Sequence, residues 1–165
     1  MKSTKLLILG FSCFYFTSCV YFNTFYNAEN SFKQANEIID NSSFNYENND
    51  IPTSAKKLLN ESIISSNIVI NEYSDSKYVD DAIYYMGRSY FTLAEYFKSE
   101  KYFSELINKY PDSKYFNESK LWLEYTRLKL QPNDAILENL KLIEKIINPK
   151  NDKKLFFLLH NIKGD

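Results

Sequence analysis

Apolar residues recur along this chain at helical intervals. Ile83, Met86 and Tyr90 follow one another three and four residues apart, and Phe103 and Leu106 resume the spacing in the next segment. Such spacing keeps one stripe of a helix apolar. Trp122, Leu123, Tyr125 and Leu128 give a further helix, and Ala135, Leu140, Ile143 and Ile147 the one after it. Upstream, Ala55 to Glu72 reads as a helix with Leu59, Ile63, Val69 and Ile70 inward, preceded by a partner carrying Phe22, Phe25, Phe32, Ala35 and Ile39. The pattern predicts helices at about 20–40, 54–72, 78–94, 97–109, 115–130, 134–147 and 152–162, an all-α chain of about three and a half helical hairpins. The segment 41–54 is polar, Asn-rich and long for a hairpin connection, and is expected to be a flexible loop.

Two hexapeptides mark the repeat: Tyr73-Ser-Asp-Ser-Lys-Tyr78 and Tyr110-Pro-Asp-Ser-Lys-Tyr115, 37 residues apart. A period of that size signals stacked helical hairpins. Between them Ile83, Met86-Gly87, Tyr90, Ser99, Phe103 and Pro111 resemble the tetratricopeptide consensus, with Ile83 standing where Trp is usual. The residue types fit the geometry. Gly87 and Ser99 are small where two helices of a hairpin cross closely, and Ile83, Met86, Tyr90, Phe103 and Leu106 fill the space around the crossing. Pro111 lacks the donor that would continue the second helix. Ser76 and Ser113 are candidate N-caps, with Asp80, Asp81 and Glu118 near the positive helix starts. In the following repeat Glu124 replaces the glycine, which predicts a wider crossing there.

Composition narrows the class. A chain of 165 residues is the size of one domain, and 44% hydrophobic with 25% charged residues is ordinary for a folded one. Tyr 14 and Phe 13 against Gly 3 and Pro 4 favour long packed helices over a turn-rich β fold. Beyond residue 18 the chain has 18 basic and 21 acidic residues, net -3, without a basic stripe, so nucleic acid is not expected as a partner.

The N-terminus reads as an export signal. Lys2 and Lys5 precede the apolar run that opens at Leu6-Leu7-Ile8-Leu9, and Phe16-Thr17-Ser18-Cys19 closes it. That tetrapeptide resembles the bacterial lipobox, with Phe16 where Leu is usual, which assigns residues 1–18 to a lipoprotein signal peptide, Cys19 to lipidation and 19–165 to the repeat domain. Cys13 falls in the removed segment, so Cys19 is left without a disulfide partner, as an acylated cysteine would be. A plain secretory signal with a coincidental cysteine is the alternative; an uncleaved anchor running from Leu6 to about Tyr26 is disfavoured by Asn23 and Asn27. Val20, where an Asp would signal inner-membrane retention, points by analogy to the periplasmic face of the outer membrane.

Lipobox, hairpin length and the Tyr-Pro-x-Ser-x-Tyr junction together resemble the outer-membrane assembly lipoprotein BamD and its wider family of periplasmic tetratricopeptide proteins, most closely over Tyr73 to Tyr125. The resemblance implies a right-handed superhelix tethered to the outer membrane that binds protein partners or extended peptides, in barrel assembly for the family's assembly member. That member carries about five hairpins, so the insertase-docking surface is in doubt here. A cell-envelope scaffold for division, secretion or peptidoglycan is the alternative. The family register implies a concave binding wall of Asp81, Tyr84, Arg88 and Phe91, repeated as Glu118, Leu121, Tyr125 and Leu128; as the alternative, Phe91 and Leu128 are core and the rest a solvated face.

Phe22, Phe25 and Phe32 are expected to cover the open end of the first hairpin, while Tyr21 and Tyr26 suit a bilayer interface. In Leu155-Phe156-Phe157-Leu158-Leu159, either Leu155, Leu158, Leu159 and Ile162 fold over the last hairpin, or Phe156 and Phe157 contact another chain. The second is favoured. No catalytic constellation, metal-ligand spacing or cofactor motif stands out: His160 is the only histidine and has no acidic or cysteine neighbour, so an enzyme is not expected.

Overall fold

The computed structural model describes residues 22–42, 51–147 and 152–164. The expected signal peptide 1–18, Cys19, Val20, Tyr21 and residues 43–50 of the expected loop lie outside the described residues. Seven helices and no strand occur among the described residues: α1 (22–40), α2 (Thr53–Glu72), α3 (Val79–Thr92), α4 (Tyr96–Lys109), α5 (Phe116–Leu130), α6 (Asp134–Ile146) and α7 (Lys153–Gly164). From α2 onward each helix packs on the next, and α3 also reaches α5. The result is an all-α array of tetratricopeptide-type hairpins, α1–α2, α3–α4 and α5–α6, with α7 as a closing half.

The α3–α4 hairpin is closely packed, and its crossing explains why. A Cβ placed on Gly87 would stand 2.8 Å from Cε1 of Phe103, so only glycine lets the Phe103 ring lie against α3. Ser99, fully buried beside it, donates its hydroxyl to the Gly87 carbonyl at 2.9 Å. Its oxygen is also 3.2 Å from the Thr126 hydroxyl, which ties α4 to α5. Ser62, 37 residues before Ser99, donates to the Ala28 carbonyl at 2.8 Å and closes α1–α2 in the same way. Ile83, Met86 and Phe103 are core, Tyr90 is half-buried and stacks on Tyr102 at 5.6 Å, and Pro111 is exposed just past the end of α4.

Several expectations are corrected. Helices α3 and α5 begin at Val79 and Phe116, and their capping residues Tyr78 and Tyr115 make no side-chain cap bond. Ser76 and Ser113 act earlier, accepting from the Tyr78 and Tyr115 backbone N–H groups at 3.0 and 3.2 Å to fix the turn that leads into each helix. The segment 41–54 is anchored at its far end, because Ile51 is buried and α2 already includes Thr53 and Ser54. Phe22 is exposed, whereas Phe25 and Phe32 are core. In α6 Ile136 and Leu140 are buried and Ala135 is exposed, and Asn133 caps the helix by accepting from the Ile136 N–H at 3.1 Å. At the C-terminus Leu159 and Ile162 are buried and Leu155 and Leu158 half-buried, so α7 folds over the last hairpin; Phe156 is half-buried against His160, and Phe157 stays exposed.

Candidate partner-binding surface

Of the eight residues expected on the concave wall, Tyr84, Arg88 and Glu118 bond to one another and Phe91 packs on Tyr125, while Asp81 pairs with Lys114. Asp81, Tyr84, Phe91, Glu118, Leu121 and Tyr125 are buried, and Arg88 and Leu128 half-buried. The open wall is therefore replaced by a closed polar and aromatic network that joins α1, α3 and α5. The cause is aromatic bulk: large rings from neighbouring hairpins fill the side on which smaller residues would leave a groove.

Glu118 is the hub. Its Oε1 accepts from the Tyr84 hydroxyl, from Arg88 Nη1 at 3.4 Å and from Trp122 Nε1 at 3.3 Å. Arg88 Nη1 also donates to the Tyr84 hydroxyl at 2.9 Å, so a guanidinium, a phenol and a carboxylate form one chain. The guanidinium lies 3.8 Å from the Trp122 ring centroid and 5.4 Å from that of Phe32, between α5 and α1. Tyr84 stacks on Tyr115 at 3.8 Å with the rings 2° from parallel. The Tyr85 and Tyr115 hydroxyls lie 3.1 Å apart, and that of Tyr85 donates to Glu29 of α1 at 3.1 Å. Phe91 closes the far end between Trp122 and Tyr125, 4.8 Å from each.

The electrostatics fit a structural network. Burial pushes the phenols of Tyr84, Tyr85 and Tyr115 up, so they stay protonated as donors at neutral pH. Burial also raises the Asp81 carboxyl, although Lys114 pairs with it at 2.5 Å and pulls the other way. For Glu29 burial acts upward too, but the hydrogen bonds from Lys33 and Tyr85 outweigh it and the carboxyl is lowered. No group of three or more His, Cys, Asp or Glu that could hold a metal occurs among the described residues, and no helix there is long and apolar enough to cross a membrane.

Sequence reasoning missed Glu29, Tyr85, Lys114 and Tyr115. Lys77-Tyr78 and Lys114-Tyr115 are repeat mates, and asking what the second copy meets in three dimensions would have found the last two. A second concavity lies away from this network, where α4, α5 and α6 meet; it was signalled only by Glu124 in place of glycine.

Residues 81–113 match the family model of the tetratricopeptide repeat, from the first turn of α3 to the turn after α4. No curated protein matches the chain. The molecule is thus of the helical-repeat class, with a tetratricopeptide repeat at its centre; such repeats generally bind protein partners and are typically non-catalytic. The fold and this match suggest a protein-interaction scaffold.

Proposed function

We propose that this scaffold is anchored to the periplasmic face of the bacterial outer membrane by acyl chains on Cys19, and that it holds a protein or extended peptide partner there in the manner of the BamD family. The observation that carries the reading is the order of the N-terminal segment: Lys2 and Lys5, an apolar run, then Phe16-Thr17-Ser18-Cys19 directly ahead of a helical repeat array. Phe22 and Tyr26, four residues apart on α1 and both more than half exposed, favour an aromatic contact with the bilayer interface beside that anchor. Exposed Phe157 at the other end supplies a further apolar contact for a partner.

Cys19→Ala tests the anchor: metabolic labelling with a fatty-acid analogue is lost and the protein washes off membranes, whereas unchanged labelling refutes lipidation at this residue. Affinity capture of the tagged chain tests the role. Recovery of a barrel insertase supports barrel assembly, and recovery of division or peptidoglycan proteins without it assigns the scaffold to those processes instead.

A further inference from the structure

Glu124 stands 37 residues after Gly87, and Ile136 the same distance after Ser99. The contact that closes α3–α4, a hydroxyl bonded to a backbone carbonyl beside a bare Cα, therefore has no counterpart in α5–α6. A carboxylate and a branched apolar side chain occupy those places, and α5 and α6 touch far less than α3 and α4 do. Where they part, beside the start of α4, lies a cleft of about 570 Å3 bounded by Phe97, Glu100, Glu124, Arg127, Ile136 and Asn139, among others. That volume lies within the roughly 300–1,000 Å3 of ligand-binding clefts.

The lining has a definite chemistry. Arg127 donates from Nε to Glu100 at 2.9 Å and from Nη1 to Glu124 at 3.1 Å, and Asn139 donates to the second oxygen of Glu124 at 3.3 Å. Glu100, Glu124 and Arg127 are the charged residues of the lining, so its net charge is -1. A carboxylate offers about four acceptor sites, so the two retain capacity for an incoming donor. Phe97 is 80% exposed at the mouth and Ile136 is buried below. An exposed ring beside fixed carboxylates is suited to a cation on an apolar stem, whose charge meets the carboxylates while its methylenes cover ring and isoleucine.

We infer that this cleft binds an extended segment of a protein partner through a lysine or arginine side chain. The inference rests on the protein-binding reading above and names the surface and the peptide chemistry; acidic or phosphorylated segments would be repelled by the excess carboxylate. The test is fluorescence anisotropy of the purified full chain with three labelled nonapeptides that differ only in their polar residues, which are lysine, glutamine or glutamate. The lysine peptide should bind at least about tenfold more tightly than the glutamate peptide at low salt, with the gap shrinking as salt is added. Phe97→Ser, at a position 80% exposed, should weaken the lysine peptide about three- to tenfold and leave the melting temperature unchanged, and Glu100→Gln, which gives up its ion pair with Arg127, should weaken it to a similar extent while the chain stays folded. Equal affinity for the three peptides, or affinity for the lysine peptide that ignores both substitutions, overturns the assignment of the cleft while the scaffold reading stands. Failure of every peptide to bind, with no partner captured, overturns both.

Discussion

Arg88 and Glu118 lie 3.4 Å apart, on α3 and α5, with side chains only 11% and 9% exposed. A pair this deep is held by its surroundings: Trp122 stacks on the guanidinium and also donates to the carboxylate, while Tyr84 bridges the two. The Nε of Arg88 is buried without a hydrogen-bond partner, so the guanidinium is held through Nη1 and through the face of Trp122. Removing one member leaves the other charged and desolvated. Arg88→Ala should therefore lower stability by about 3 kcal/mol, and Arg88→Lys should recover little, because an ammonium can neither stack flat nor fork. In a cycle with Glu118→Gln the coupling should be about 1–3 kcal/mol by urea unfolding; additive losses would show that the pair acts as two separate contacts.

Gly87 gives a second test. Its added Cβ would meet Cε1 and Cδ1 of Phe103 at 2.8 and 2.9 Å, and Phe103 is itself fully buried, with nowhere to retreat. Gly87→Leu should cost about 1–3 kcal/mol by overpacking. Adding Phe103→Leu to Gly87→Ala should return part of the smaller loss. A Gly87→Leu chain that unfolds at the same urea concentration as the wild type would mean that the two helices do not cross here.

Much of this was legible because the repeat is written twice. Gly87, Ser99, Phe103 and Pro111 do in the structure what their types imply, since a close crossing admits few alternatives. Ser62 lies 37 residues before Ser99, but a hydroxyl that bonds to a carbonyl of another helix leaves no mark in hydropathy. The burial of Tyr84, Arg88 and Phe91 depends on how closely Phe32, Tyr115 and Trp122 approach from other segments. One helical period cannot encode that. The cleft was foreshadowed by Glu124, yet its lining draws on three helices that only the packing brings together.

Asp81 makes the array sensitive to pH in an unusual direction. Burial raises its carboxyl in the folded chain despite the ion pair with Lys114, so the folded state holds that proton more tightly than the unfolded state does. The contribution of Asp81 is thus most favourable below its unfolded value and is lost as pH rises through the folded one. Asp81→Asn removes the titration. The stability of the variant relative to wild type should rise as the pH is raised from acid to neutral, measured as the difference in urea midpoint at each pH. A difference that falls with pH would mean that the Lys114 pair outweighs burial.

The C-terminal helix supplies the last test, because its two faces make opposite predictions. Leu159 is fully buried and Ile162 nearly so, against α5 and α6, whereas Phe157 is 67% exposed. If α7 caps the array, its energy resides in the inward face: Leu159→Ala leaves a cavity and should cost about 2–4 kcal/mol, while Phe157→Ser should change stability by less than about 0.5 kcal/mol. Deleting residues 152–165 should destabilise the α5–α6 hairpin in the same sense, since it uncovers the apolar end of a repeat array that must be capped to stay in solution. Urea unfolding of the three variants, with light scattering to follow their mass, checks this. A truncation as stable as the wild type would show that α7 does not close the stack.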